Sequence, residues 1–531
     1  MADILSNSVS GLLSVQRALT TTGQNVSNAN TEGYSRQTVN MSARDPQFLG
    51  NGYVGTGTQV DSITRSFDQF VESQLRDATS DSGRLSFLGD FAGQVTDVLG
   101  DTESGVSQAS QAFFDAASDI AANPTDSTAR NAFLNEAEAL TGRFNRLDTQ
   151  LAKLDQGIGR QADSIAGEVN DFASELADLN GKIITATAQN PNSLPNDLLD
   201  RRDQLVKDIA DRIDVRVDED GKGGLNLSVG SGQSLVTGNT AQPLTASNGG
   251  AGLTVEISGK DITSRVGGGK LGGMIEAQDT LITPLRNELG RAAMVMAQEV
   301  NKVQEAGVDL NGDDGEALFT ELDDFQGAVT SRRGNEGDGD AVADITDARK
   351  LEDARYVARF DGADWSIRRE DDPSTEIASV GPNGTTTDVP GMEIDFSGTP
   401  ASGDVLYIDP AVGAAGQIQT RLSDPDKVAA ASTGAGAGSR DNTNIESMVD
   451  LANQPLVGQA ADGSGGETIG GSISASVSKA GSVASNAERQ GESAKAALDN
   501  LQSRRESVSG VNLDEEAATC FSPFWTPSAE D

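Results

Sequence analysis

The sequence predicts a mainly α-helical protein with inserted β domains, in which long coiled-coil-like helices come from both chain ends and β-rich domains lie outward. Three observations lead there. Apolar residues recur in alternating steps of four and three near both termini and through the interior. Two internal stretches switch to period two, with glycine turns between short runs. The composition is thin: of 531 residues only 36% are hydrophobic and 4% aromatic, with 60 glycines, which suits long narrow packing better than a thick aromatic core.

The N-terminal segment 4–28 places Leu5, Val9, Leu12, Gln16, Leu19, Gly23 and Val26 on one heptad seam. Gln16 and Gly23 interrupt that seam, so the helix needs a partner to be stable. The run Asn28-Ala29-Asn30-Thr31-Glu32-Gly33-Tyr34 closes it, because Asn and Gly tolerate the left-handed turn that ends helices. Residues 40–65 are glycine-rich and read as extended chain or a hairpin. Helical pattern returns at Phe67 and continues, with interruptions, to about Ala122, where Asn123-Pro124 breaks it.

The clearest periodicity follows. Phe133, Ala137, Leu140, Phe144, Leu147, Leu151, Leu154, Ile158, Gln161 and Ile165 keep heptad spacing, and after one extra residue Val169, Phe172, Leu176, Leu179 and Ile183 resume it. This is a helix of about 50 residues, roughly 75 Å long, which must pair with other helices along its length. Asn190-Pro191 to Pro195 closes it, and a shorter helix occupies 196–213. Residues 214–266 form a small β unit; 270–306 form a second long helix with Leu285, Leu289, Ala292, Met296 and Val303 at heptad spacing. A β-rich insert spans 319–411, and the Ala/Gly/Ser-rich stretch 412–442 links it back. The last seam runs through Ile473, Val477, Ala480, Ala484, Ala487, Gly491, Ala494, Leu498, Leu501, Arg505 and Val508. Incomplete seams at both termini invite pairing with one another and with neighbouring subunits.

The resulting partition is 1–40 and 471–518 as two halves of an inner helical domain, and 41–213 and 267–318 as two parts of a long-helix domain. The small β unit is 214–266, the outer β domain 319–411, the linker and return to the helical domain 412–470, and an atypical tail 519–531.

Charge and composition exclude much chemistry. With 40 Lys and Arg against 81 Asp and Glu the net charge is −41, which repels nucleic acid and anionic membrane surfaces, so neither is expected as a partner. There is no histidine, which removes Ser-His-Asp triads, His-ligated zinc and His proton shuttles. Cys520 is the only cysteine, so no intrachain disulfide or CxxC site can form. The first basic residue is Arg17 and no apolar run reaches 18 residues, so neither a cleaved secretory leader nor a membrane span is expected.

Local motifs are weak. Asp309, Asn311 and Asp313 have the 1,3,5 spacing of a calcium loop, but Asp314 stands where Gly is needed and Thr320 where Glu is needed, so an acidic turn is the better reading. GNEGDGD at 334–340 is a second acidic loop, and GGGK at 267–270 lacks the remainder of a phosphate-binding loop. Acidic pairs are too numerous to nominate two for glycoside chemistry. No catalytic, metal or cofactor site is expected, and the chain reads as non-enzymatic.

The stronger signal lies at the ends. SNANTEGYSR, with Asn28, Asn30, Thr31, Gly33 and Tyr34, resembles the signature of the bacterial flagellar axial proteins (rod, hook and hook-associated proteins). NDLLDRRDQLV (196–206), GGKLGGMIEAQDTLITPLRNEL (268–289), VNKVQEAGVDLNGDDGEALF (300–319) and IDFSGTPASGDVLYIDP (394–410) resemble blocks of the hook-associated branch, in its order. So does SGVNLDEE, which comprises Ser509, Gly510, Val511, Asn512, Leu513, Asp514, Glu515 and Glu516. The resemblance implies a structural protein exported unfolded by the flagellar type III apparatus, extracellular at the hook–filament junction, self-assembling in a ring at the hook tip. It implies as partners further copies of itself, the hook protein, the next hook-associated protein towards the filament and an export chaperone. The implied assembly residues are the two motifs, the N-terminal seam of Leu5, Val9, Leu12, Leu19 and Val26, and the C-terminal seam of Ile473, Val477, Leu498, Leu501 and Val508. An acidic adhesin or surface-layer protein is the rival from another class, and a hydrolase housed in 319–411 is a third reading.

The tail TCFSPFWTPSAED (519–531) departs from that family, in which an amphipathic helix continues past this point. Pro523 and Pro527 forbid a continuous helix. The tail reads either as a divergent end or as a frameshifted or truncated one, and the abrupt change of composition favours the second. It puts the terminal pairing and the chaperone contact in doubt.

Overall fold

A computed structural model describes residues 2–48, 52–100, 105–190, 194–221, 223–230, 232–249, 252–460 and 463–521. Helix α1 (Ala2–Asn28) leads into a hairpin of β1 (Gln37–Ala43), β2 (Gln47–Phe48), β3 (Tyr53–Val54) and β4 (Thr58–Arg65). In the hairpin β1 pairs antiparallel with β4 from Gln37 opposite Arg65 to Ala43 opposite Thr58, with a bulge after Asn40. Helices α2 (Gln69–Gly100), α3 (Val106–Ala122), α4 (Ser127–Gln189) and α5 (Asn196–Arg212) follow.

Helix α4 is the spine. The Asp126 carboxylate caps it by accepting from the Thr128 amide, and it runs for 63 residues, about 95 Å. That exceeds the expected length because the ends at 127–132 and 184–189 stay helical beyond the apolar repeat. Phe133, Ala137, Leu140, Phe144, Leu151, Ile158, Val169, Leu176 and Ile183 are all buried along it. Helix α3 lies on its first half, where Phe113 and Phe133 meet at 4.8 Å between ring centroids.

A small β unit docks on the second half of α4. Its strands form a four-stranded sheet (Val215–Glu219, Leu225–Val229, Gln233–Thr237, Thr240–Ala241) and a three-stranded one (Leu244–Gly249, Gly252–Ile257, Lys260–Asp261). Two asparagines of α4 treat those strands as if they were a strand themselves. The Asn180 amide donates to Leu225 and Gly238 carbonyls and accepts from the Leu225 N–H; Asn170 donates to the Leu244 carbonyl and accepts from the Leu244 N–H.

Helix α6 (Gly269–Ala277) passes through a π turn at Gln278–Ile282 into α7 (Thr283–Glu305). Residues Ala292 to Ala297 of α7 are wholly buried on every side, which makes it the innermost helix. The outer β domain has antiparallel strands in the spatial order Glu376–Val380, Trp365–Arg369, Tyr356–Phe360, Val405–Asp409, Gln326–Ser331, Asp340–Ile345, Met392–Ser397 and Thr385–Thr386. Trp365 from one half stacks on Phe396 from the other at 5.2 Å, so the two halves fold over a shared aromatic core. Helix α8 (Thr443–Asp450) returns the chain to the helical body, and α9 (Ile469–Ser509) and α10 (Leu513–Phe521) end the described structure.

The two terminal helices differ from the expectation that their seams pair with each other. Helix α9 lies along α2, with further contact to α7 and α3, whereas α1 packs on strands β1 and β4 and touches α10. The reason is side-chain size. Ala487 and Gly491 bring the α9 backbone close to Gly89 and Leu85 of α2, a fit that α1, with its leucines, does not offer. Of the tail, 519–521 continue α10, and 522–531, including both prolines, lie outside the described residues.

Candidate assembly surface

The loop that leaves α1 is organised by a buried amide. Asn25, 1% exposed, donates to the Gln37 carbonyl at 2.9 Å and accepts from the Gln37 N–H at 3.0 Å and the Tyr34 hydroxyl at 2.8 Å. The side chain thus pairs with the first residue of β1 as a neighbouring strand would, and fixes the angle between α1 and the hairpin. Turn bonds from the Thr31 N–H to the Asn28 carbonyl and from the Tyr34 N–H to the Thr31 carbonyl close the loop between them. Gly33 turns it with φ of +82°, a conformation that glycine takes without strain. Asn30 and Thr31 face solvent.

Helix α5 holds the loop from below. The Ser35 N–H donates to Asp200 at 3.0 Å, Gln37 Nε2 donates to Asp197 at 3.0 Å, and Arg65 from β4 reaches Asp200 at 2.9 Å and Asp203 at 2.7 Å. Burial, with Asp197, Asp200 and Glu516 nearby, pushes the Tyr34 phenol up to about 12. The phenol therefore holds its proton, and its bond to Asn25, well above pH 10.

The C-terminal motif closes over the same loop. The Arg36 N–H donates to the Ser509 carbonyl at 2.8 Å, and the Arg36 guanidinium reaches Glu516 at 2.7 Å and Glu515 at 2.9 Å. Asn512 caps α10 by accepting from the Asp514 N–H at 3.0 Å, which aims the acidic first turn at Arg36. Arg505 of α9 bonds Glu72 of α2 at 2.7 Å and the Gly33 carbonyl at 3.0 Å. The Arg in the C-terminal seam is therefore a tether from α9 to the N-terminal loop. Gly510 ends α9, and Val511 is half-buried.

Helix α1 is inverted relative to an ordinary surface helix. Its polar side faces inward: Ser10, Ser14, Thr21, Thr22 and Asn25 are buried, and Asn7 donates to the Gly55 carbonyl while the Thr58 N–H donates to Ser10. Its apolar seam faces out. Leu5 is 71% exposed and Leu12 69%; Val9 and Val26 are exposed, and Leu19 is half-buried. Near it the hairpin carries Phe48, Tyr53 and Val54 in solvent. The C-terminal seam divides instead: Ile473 is buried, Val477, Leu498 and Leu501 are half-buried, and Val508 is exposed, as is Leu513 of the C-terminal motif.

The structure thus brings together two motifs from opposite ends of the sequence through Arg36. Periodicity alone missed Asn25, Ser35, Arg36, Gln37 and Asp200; the only sequence signal for them was that they sit in or beside SNANTEGYSRQ and NDLLDRRDQLV. The 307–314 turn is closed on Asp309, which accepts from the N–H groups of Asn311 and Asp313. Among the described residues no group of three or more Cys, Asp or Glu is placed to hold a metal ion.

Comparison with known proteins agrees with this architecture. A family model for the flagellar hook-associated protein FlgK helical domain matches residues 92–319, and one for the flagellar hook-associated protein 1 D2-like domain matches 330–410. Flagellar hook-associated protein 1 of Escherichia coli is 30% identical over 531 residues, covering 97% of this chain and 94% of the relative. That of Salmonella typhimurium is 28% identical over 536 residues, with the same coverage of 97% and 94%. The solved flagellar hook junction protein FlgK of Burkholderia pseudomallei superposes with a TM-score of 0.72 at 19% identity, over 82% of this chain and 100% of that one, and so shares the fold. The long helical spine, the outer β domain and the two terminal motifs therefore belong together, and the chain is a member of the flagellar hook-associated protein 1 family.

Proposed function

We propose that this chain is a structural, non-enzymatic subunit of the junction between hook and filament, exported through the flagellar type III apparatus and self-assembling at the hook tip. The observation that carries the reading is the outward apolar seam of α1 on a helix whose polar side is pinned to the hairpin. A helix built this way gains little alone. Each Leu or Val that a neighbour covers contributes roughly 1.5–3 kcal/mol, repeated in every subunit. An adhesin has no use for such a helix.

In this reading residues 1–40 and the C-terminal motif form the inner, ring-forming layer, the long helices carry torque, and the 319–411 domain faces outward. The partners are further copies, the hook protein below and the next hook-associated protein above; an export chaperone would engage the C-terminal end. A strain lacking the gene tests it. The account expects bare hooks with filament subunits lost to the medium, and filaments restored by the intact chain. Normal filaments on the mutant's hooks would refute it.

A further inference from the structure

Among the described residues, the large apolar side chains that stand in solvent concentrate at the chain ends. All but Leu194 and Val342 lie between Leu5 and Phe70 or at Val508 and Leu513. The N-terminal patch contains a groove of about 680 Å³ between α1 and the β1/β4 hairpin, lined in part by Val9, Leu13, Arg17 and Arg44. Among the described residues neither guanidinium meets a carboxylate at ion-pair distance.

The other patch has the complementary character. Residues 506–516 hold Glu506, Asp514, Glu515 and Glu516 and no basic residue. Arg36 of the same chain occupies Glu515 and Glu516. Glu506 and Asp514 are exposed, without a cation partner among the described residues, and stand beside the exposed Val508 and Leu513.

We propose that the groove of one copy docks the turn between α9 and α10 of a second copy, with Val508 and Leu513 covering Val9 and Leu13 and with Glu506 and Asp514 set against Arg17 and Arg44. The proposal rests on the assembly reading above and names which surfaces meet. Within one copy the same chemistry already joins the chain ends, where Arg36 holds Glu515 and Glu516. Apolar cover supplies the driving force, and the exposed charges fix register and partner.

A charge-reversal mixture tests it. The full chain carrying Arg17→Glu and Arg44→Glu, and the full chain carrying Glu506→Lys and Asp514→Lys, are expressed in a strain lacking the gene, separately and together. All four sites are exposed, so both variants should fold and appear in the medium. Alone, each sets like charge against like, and hook-tip occupancy should fall about tenfold. Together they should restore it, because each groove then meets a turn of opposite charge on its neighbour. As a second readout, Leu13→Cys and Leu513→Cys in a Cys520→Ser background should give a disulfide-linked dimer in isolated hooks. If the unaltered chain occupies hook tips but the mixture restores nothing and no dimer forms, the pairing is wrong while the junction reading stands. If the unaltered chain itself fails to occupy hook tips, both fall.

Discussion

Arg36 and Glu516, 480 positions apart in the chain, are joined by a 2.7 Å bond between Nε and Oε1. Glu516 is 2% exposed, whereas Arg36 keeps partial contact with water. The pair therefore does more than a surface ion pair but less than a fully buried one. Arg36→Ala leaves a buried carboxylate without its cation, at a local cost of about 1–3 kcal/mol. Hydrogen exchange should speed up at 513–519 and stay unchanged along α4. Unchanged protection in α10 would mean that the motif is held by something else.

Asn25 offers a sharper test of the hinge between α1 and the hairpin. Asn25→Ala removes three hydrogen bonds at a site closed to water and orphans the Gln37 N–H, costing about 1–3 kcal/mol. Asn25→Asp keeps the acceptor for Gln37 and Tyr34 but loses the donor to the Gln37 carbonyl, and sets a new charge close to Asp197 and Asp200. Both variants should raise exchange in β1 and β4, and neither should alter the outer β domain.

Gly33 sits at φ of +82°, with the position of an added Cβ 3.0 Å from Gln204 Oε1. The Gln204 amide can swing aside but its Cβ, at 3.3 Å, stays tight, so backbone strain and that contact together decide the outcome. Gly33→Ala should cost about 1–2 kcal/mol locally. The same change at Gly11, where an added Cβ meets nothing within 4 Å, should be neutral or slightly stabilising in a thermal melt.

Tyr34 gives an alkaline signature. Its phenol, pushed up to about 12, keeps its proton in the folded state where the unfolded chain has already lost it above pH 10. The folded state binds the extra proton, so the loop's stability is fully present below pH 10 and falls as pH rises towards 12. Tyr34→Phe should remove the late-titrating step from the phenolate absorbance. It also loses the bond to Asn25, worth about 0.5–1.5 kcal/mol.

Much of this architecture was legible in the sequence, and the exceptions share one cause. The repeat from Phe133 to Ile183 located the spine and its buried face, because a seam that long has to be covered. The same reasoning found the seam of α1 but not its direction. Periodicity tells which residues share a face, and says nothing of whether the chain or a neighbour covers it. In the seam of α9, Gly491 and Arg505 read as interruptions, yet Gly491, with Ala487, permits the close approach to α2, and Arg505 bonds Glu72. The Asn25, Arg36 and Asp200 network was invisible to periodicity because its spacing is set by the loop, and only the family motif pointed to it.

The central claim is that the apolar seam of α1 exists for neighbouring subunits and not for the chain's own core. The most direct measurement uses Leu5→Ser with Leu12→Ser, comparing the melting of the purified chain, its amount in the medium and its presence on hook tips. Both leucines are mostly in solvent, so the melt should move by no more than the equivalent of about 0.5 kcal/mol. The account predicts an unchanged melt, wild-type amounts in the medium and empty hook tips. A variant that occupies hooks and supports filaments as well as the unaltered chain would contradict it.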